Sequence, residues 1–468
     1  MPPIAVQSER PWRPWAGVGL AGSLAVALAG PHLAGGPVRW WFDPSLGAAV
    51  FYAGIVALSV AWLALGRLTL TTRDLWIIGA AWCAPLLLTA PMFSQDAYSY
   101  LAQGTLVHLG IDPYRHAPEA LAQAGQAHVL AAVDPFWRHT TAPYGPLFLW
   151  IVSGIVALTG SHLVAGVLLL RLLDMAGLVL LAAFAPRLAR ALGADPARAT
   201  WWVLLSPLVL LELVAPAHND LLMIGLVVAG VTFAIERRVL VGIALCAFAA
   251  TIKLPAAAAI PFILVAYGDR RTALKGVLVA AFVVLAVSAI SGLGLGWIST
   301  TVFSTPDKVR LAITPATALG WTVAQVVPVG ARGLESALGV VAFGLSCLFG
   351  VVLLWRSRRG YPSGDAVRNL AIALIAVAVC GPAAWPWYLT WGLVLLAACP
   401  GIQQSRALAL SVAASVLVVK ADGILAFPLH TAPVFVVLYV AAGIAAAVVA
   451  SRRRPAVRAA RLRPVAES

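Results

Sequence analysis

Charge is what this sequence has least of. Asp, Glu, Lys and Arg make up 11% of its 468 residues, where a soluble globular domain carries about 25%. Acidic residues number 18 and lysines only four (Lys253, Lys275, Lys308, Lys420), so arginine carries most of the net charge of +14. Cysteine is sparse as well. Cys83, Cys246, Cys347, Cys380 and Cys399 all fall in apolar stretches and none forms a CxxC, which reads as small buried hydrophobes rather than a redox or metal framework. No Walker A loop is present, nor a GxGxxG placed after a strand. Both absences argue against an ATP-driven pump or a Rossmann-type nucleotide-sugar enzyme. No repeat with a period of roughly 20–50 residues is visible.

What the chain has in excess is carbon: 61% of residues are from AVILMFWYC, with a mean hydropathy of +0.92. So little polar material cannot clothe a water-soluble surface around so much apolar material. Soluble, disordered, collagenous and disulfide-scaffold classes are excluded. The fold class expected is all-α, a polytopic transmembrane helical bundle of about 13 spans, each needing roughly 20 apolar residues.

The basic clusters sit at the ends of apolar stretches: Arg237-Arg238, Arg270-Arg271, Arg356 to Arg359 and Arg452 to Arg454. That is the positive-inside pattern of cytoplasmic loops, not a groove for phosphates, so nucleic acid is not an expected partner. The domain reading is a cytoplasmic N-terminus at 1–13, a membrane domain at 14–451 and a basic cytoplasmic tail at 452–468 lying on anionic lipid. The first apolar run, 14–31, reads as an uncleaved helix. Further spans are expected at 47–66, 75–92, 146–160, 163–185, 200–215, 220–235, 239–253, 254–267, 277–296, 335–355, 368–383, 387–399, 405–421 and 433–451. Two crossings between 146 and 185 would leave Arg187, Arg190 and Arg198 outside, so one of those segments is expected to be re-entrant or tilted. Pro255 and Pro261 break 239–267 into a short hairpin.

Residues 93–145 form the one long stretch outside the spans, and a long loop in a chain of short ones is usually functional. An amphipathic helix bearing Tyr98, Leu101, Thr105, Leu106 and Leu109 is expected to lie along the membrane surface. A weaker helix is expected at 118–131, and His108, His116, His128 and His139 lack metal-ligand spacing and read as surface residues. Asp96 sits where this loop begins, beside Tyr98 and Tyr100. It serves either as a general base for an acceptor hydroxyl or as the N-cap of the helix from Ala97. His218, Asn219 and Asp220 are three consecutive polar residues between apolar spans, costly unless they face water or protein; an outer turn capped by Asp220 is the plainer account. These three are expected to line the same cavity as Asp96. Lys253 lies deep in an apolar stretch and either snorkels to an interface or meets a lipid phosphate. Trp385, Trp387 and Tyr388 belong to an interfacial aromatic belt or stack on sugar or isoprenoid. Glu212, Arg171 and Asp174 are expected to pair inside the bundle.

These segments resemble the GT-C membrane glycosyltransferases, and in particular the actinobacterial polyprenol-phosphomannose-dependent α-1,6-mannosyltransferases of the MptA/MptB type. The resemblance runs from about residue 70 to about 450. It rests on the run from Ser94 to Gly104, Gly110 to Tyr114, Asp134-Pro135 through Tyr144-Gly145-Pro146, His218-Asn219-Asp220, Lys253-Leu254-Pro255 and Trp385-Pro386-Trp387-Tyr388. It implies a GT-C-like bundle whose 93–145 loop is catalytic and extracytoplasmic, in a multi-pass protein of the plasma membrane. It implies transfer of mannose, with inversion, from polyprenyl-phosphate-mannose to a lipid-linked mannan acceptor, in lipomannan and lipoarabinomannan assembly. Asp96 would be the base, and Tyr98, Tyr100, Tyr144, His218, Asn219, Asp220, Lys253, Trp385, Trp387 and Tyr388 would bind substrate. Gln95 stands where the family often carries a second acidic residue, so no metal ligand is assigned. A prenyl-phosphate-dependent arabinosyltransferase of the same architecture and a secondary transporter are the alternatives. A transporter would be expected to show inverted repeats and matched broken helices.

Overall fold

Apolar runs punctuated by proline, glycine and capping residues become helices throughout the described residues. A computed structural model describes residues 10–34, 43–301, 314–327, 330–358, 363–381, 384–427 and 429–442. The basic tail at 452–468 and residues 1–9 lie outside them. The helices are α1 (Arg13–Leu33), α2 (Pro44–Leu65), α3 (Thr72–Leu87), α4 (Asp96–His108), α5 (Ala127–Ala132), α6 (Pro146–Thr159), α7 (Leu163–Ala191), α8 (Pro196–Leu204), α9 (Pro207–Val209), α10 (Asp220–Ile235), α11 (Val239–Ala250) and α12 (Ala259–Tyr267). There follow α13 (Arg270–Ile290), α14 (Gly296–Ser299), α15 (Pro315–Ala324), α16 (Ala331–Arg356), α17 (Ser363–Cys380), α18 (Thr390–Leu396), α19 (Arg406–Ser415) and α20 (Ala432–Ala442). Among the described residues the only β pairing is an isolated bridge between Val419 and Leu425. The fold is all-α, and among the described residues six helices are long and apolar enough to cross a membrane and seven apolar ones are shorter.

Two sets of contacts mark the opposite ends of the bundle. At one, Trp62 of α2 stacks on Trp201 of α8 with ring centres 4.6 Å apart, and each indole donates to the other's carbonyl. Arg198 donates to the Gly66 carbonyl beside that stack, and Arg187 pairs with Glu236. This is the arginine-rich end. At the other, Arg171 donates to the carbonyls of Leu87, Thr89 and Ala215, filling acceptors that α3 and the segment after α9 leave open at their ends. Arg171 therefore ties helix ends together through carbonyls rather than through an acidic partner.

These anchors decide between the two segments in conflict. α7, at 29 residues, runs from the Arg171 end to the arginine-rich end. α6 has 14 residues, which rise about 21 Å, short of the ~30 Å hydrocarbon core. The helix within 146–160 is therefore too short to cross that thickness by itself, whereas α7 is long enough.

Other expectations are corrected. α4 does not lie on a surface: Ala97 and every residue from Ser99 to Leu106 are buried. Gly104 against Val152 of α6 and Gly166 of α7 against Leu101 let the backbones close in, since a Cβ at either would fall within 3 Å of the neighbour. Amphipathicity read for a water interface was instead packing on all sides. The weak helix at 118–131 is two short pieces, a 3-10 turn at Pro118–Leu121 and α5. Cys347 is exposed and Cys380 half-buried, unlike the other three. Cys347 sits on α16, whose apolar outer side is largely uncovered by protein and suits lipid.

The loop returns to the bundle at Gly145, whose N–H donates to the Ile252 carbonyl while Leu147 N–H donates to Thr251. A Cβ on Gly145 would stand 2.1 Å from the Thr251 carbonyl oxygen, a backbone atom that cannot swing aside. Gly145→Ala is expected to destabilise the protein by about 1–3 kcal/mol, lowering Tm in detergent. A Tm equal to that of the parent protein would show that this contact sets nothing.

Candidate active site

Three breaks in helical geometry bring the site together. The first lies at Phe93, which adopts a positive φ of 66° and donates its N–H to the Ala421 carbonyl, 2.8 Å away. The second follows a π-helical turn at Leu210–Val214, with Ala217 at φ 61° just before His218. Left-handed backbone at non-glycine residues is costly and concentrates at functional sites, as do π-bulges. The third is the stretch from Thr251 to Lys253 between α11 and the 3-10 turn Leu254–Ala258. Each break delivers one polar segment to the Arg171 end of the bundle.

His218 is wholly buried. Its Nδ1 lies 2.6 Å from the Glu212 carbonyl oxygen. A carbonyl only accepts, so Nδ1 carries the hydrogen and Nε2 is left to face Asp96, 3.5 Å from Oδ2. A bare imidazole nitrogen and an ionised carboxylate would repel there; the arrangement is favourable when one proton lies between them. Burial alone would push the Asp96 carboxyl up. The His218 imidazole, the Lys253 ammonium and the Ser94 hydroxyl more than offset this and hold it below the usual carboxylate range. The side chain of Asp96 does not cap α4, whose N-cap is Gln95.

Asp220 does not cap α10 either. Its Oδ2 accepts from Lys253 Nζ at 2.7 Å and its Oδ1 from Trp391 Nε1 at 2.6 Å. The anion that Lys253 needs is thus supplied within the chain, and the lysine does not snorkel. Its ammonium also sits 4.6 Å from the Tyr388 ring centre and 5.6 Å from that of Trp391, within cation–π range. Trp387 lies on the His218 ring at 4.5 Å and stacks on Trp385 at 4.9 Å. Both indoles are buried, so they are no interfacial belt. Tyr100 and Tyr144 meet edge to face at 5.0 Å, and the Tyr144 carbonyl accepts from the Tyr114 hydroxyl.

Of the residues singled out in the sequence, Asp96, His218, Asp220, Lys253, Trp385, Trp387 and Tyr388 are joined by direct contacts. Asn219 lies between two of them, buried and without a side-chain partner. Tyr100 and Tyr144 form an adjoining pair, while no contact described joins Tyr98 to the cluster. Trp391 was missed, as one more tryptophan in an apolar run. So was the Glu212 carbonyl, since backbone groups have no sequence signature. The Glu212 carboxyl itself has no partner. Among the described residues no three His, Cys, Asp or Glu side chains converge as a metal site.

Comparison with known proteins follows the same segments. Residues 16–269 match the family model described as alpha-(1->6)-mannopyranosyltransferase, N-terminal domain, and residues 313–452 match the MptB C-terminal domain. The chain is 35% identical to alpha-(1->6)-mannopyranosyltransferase A of Mycobacterium tuberculosis, covering 78% of this chain and 73% of that protein. It is 35% identical to a probable alpha-(1->6)-mannopyranosyltransferase of Mycolicibacterium smegmatis, over 74% and 69%. It is 31% identical to alpha-(1->6)-mannopyranosyltransferase A of Corynebacterium glutamicum, over 72% and 76%. No solved structure matches.

Removing one partner of a buried ion pair leaves the other charge stranded, at a cost of about 3–5 kcal/mol. Asp220→Asn and Lys253→Met should each lower Tm strongly. The double variant should recover part of the loss, with a coupling of roughly 1–3 kcal/mol. Strictly additive losses would mean that the two side chains do not pair in the folded protein.

Proposed function

Because the chain belongs to the alpha-(1->6)-mannopyranosyltransferase family, we propose that it moves mannose from a polyprenyl-phosphate-mannose donor to a lipid-linked mannan acceptor. The linkage formed is α-1,6, on the outer face of the plasma membrane, and serves lipoglycan assembly. The observation that carries the mechanism is the Asp96–His218 contact, in which an imidazole anchored through Nδ1 on the Glu212 carbonyl turns Nε2 toward a carboxyl held below its usual range.

In this reading Asp96 takes the proton of the acceptor hydroxyl as that oxygen attacks the anomeric carbon, and the phosphate leaves from the opposite face. A β-linked donor then gives an α product in one inverting displacement. Phosphate is a stable leaving group, so no second carboxylic acid is required to protonate it. His218 is a positioning residue: it orients Asp96 and keeps its charge. Lys253 faces the donor phosphate while still paired to Asp220, and the indole and phenol faces of Trp385, Trp387 and Tyr388 border the sugar and the first isoprene. The clustering of Arg198 and Arg187 at the end away from Asp96 supports an outward-facing site under the positive-inside rule.

Transfer of radiolabelled mannose from the prenyl-phosphate donor to a short α-1,6-mannan tests the reading directly. Asp96→Asn should fold normally and lose at least the ~10²-fold typical of a missing general base; near-parental turnover would sink the assignment. The acid limb of kcat/KM should lie below the ordinary carboxylate range. His218→Asn keeps a donor for the Glu212 carbonyl but removes the ring that depresses Asp96, so the limb should move to higher pH. An unmoved limb would leave His218 only a packing role.

The facing of the loop has its own test. Gln123 is exposed, and Gln123→Cys in a background without native cysteine should react with an impermeant maleimide on intact protoplasts. Labelling only after lysis would reverse the topology.

A further inference from the structure

The transfer step leaves a second set of buried polar groups unused. Asp174 on α7 is 3% exposed and its Oδ2 has no hydrogen-bond partner. Arg171, one turn away, is spent on three backbone carbonyls and forms no ion pair with it. Asn219 is wholly buried, and neither its Oδ1 nor its Nδ2 is satisfied. The Tyr100 hydroxyl is buried beside that of Tyr144.

Neighbouring contacts fix where Asp174 lies. One turn before it, Arg171 reaches the Ala215 carbonyl at 2.9 Å. One turn after it, Gly177 lies so close to α10 that a Cβ would fall 2.4 Å from the Leu221 carbonyl oxygen. Between those points Asp174 lies on the stretch of α7 that packs along the segment from Ala215 to Leu221, which includes Asn219. Tyr100 approaches from α4, whose Leu101 packs on Gly166 of α7, and its hydroxyl lies in the field of Asp96, Asp174 and Asp220.

Buried polar groups are satisfied by protein, water or ligand, and the open atoms of Asp174 and Asn219 call for one of the latter two. A carboxyl accepts, a carboxamide both donates and accepts, and a phenol does either. That set complements neighbouring hydroxyls on one face of a pyranose. We infer that Asp174 and Asn219, with Tyr100, form the subsite that grips the hydroxyls of the transferred sugar, on the bundle-interior side of the Asp96–His218 pair. This rests on the sugar-transfer reading, and it assigns to Asp174 a binding role rather than a structural ion pair.

The test uses the full chain in nanodiscs, titrated with farnesyl phosphate and with its β-mannosyl diester. The parent protein should bind the mannosyl form at least about tenfold more tightly, as one or two added hydrogen bonds allow. Asp174→Asn and Asn219→Ala should each erase most of that preference and leave farnesyl phosphate affinity unchanged. A parent protein that transfers mannose while both variants keep its full preference would overturn the subsite and leave those groups to water. Should Asp174→Asn fail to fold, deoxymannosyl donors decide. A penalty for a missing hydroxyl that disappears in Asn219→Ala supports the subsite, and a penalty unchanged there overturns it. Sugar preference without any transfer by the parent protein would support the subsite while sinking the transfer reading.

Discussion

The carboxylate of Asp220, buried and shared between an ammonium and an indole, is the interaction on which the site depends. It ties the first residue of α10 to the break after α11 through Lys253, and to α18 through Trp391. The first two lie within the N-terminal family region and the last within the C-terminal one. Two regions separable in sequence are thus joined at a buried charge, and the Trp387–His218 stack makes a second joint beside it. A bare carboxylate at that depth would be prohibitive. Paired and hydrogen-bonded on both oxygens, it becomes tolerable and fixes three segments at once.

Rigidity follows from where backbone polar groups go. Each helix break leaves carbonyls and amides without intrahelical partners, and inside an apolar bundle these must be met by protein. Arg171 takes three carbonyls, the Thr251–Ile252 turn takes the amides of Gly145 and Leu147, and Glu212 gives its carbonyl to His218. The groups that hold the breaks are therefore also those that orient the reactive side chains. Strain at Phe93 and Ala217 sits beside Asp96 and His218 for that reason: the surrounding bonds over-determine conformations that the residues would not choose alone.

Much of this was legible in the sequence because polar residues inside long apolar runs are costly, and cost marks function. His218, Asp220 and Lys253 stand out on that ground without any knowledge of contacts, and Asp96 does so because it opens the one long stretch outside the spans. What was illegible has physical causes. Trp391 lies in a run where tryptophan packs as readily as leucine, so its hydrogen bond to Asp220 leaves no trace. α4 reads as amphipathic, yet small residues at Gly104 and Gly166 let helices approach on the side expected to meet water. The buried reading of cysteine failed at Cys347 because an apolar side chain in a membrane protein has two places to be, the core and the lipid.

The charge balance of the site suits a reaction whose leaving group gains charge. In the proposed transfer the donor arrives as a phosphodiester with one negative charge and departs as a phosphomonoester carrying up to two. Lys253 has three N–H donors, and Asp220 takes only one of them. A phosphate oxygen can therefore share the ammonium without breaking the pair that holds α10, α11 and α18 together. The attraction to that ammonium grows as the donor bond breaks, which is the condition under which binding accelerates a step rather than merely tightening the ground state. In that proposal one buried carboxylate serves both the fold and the donor phosphate.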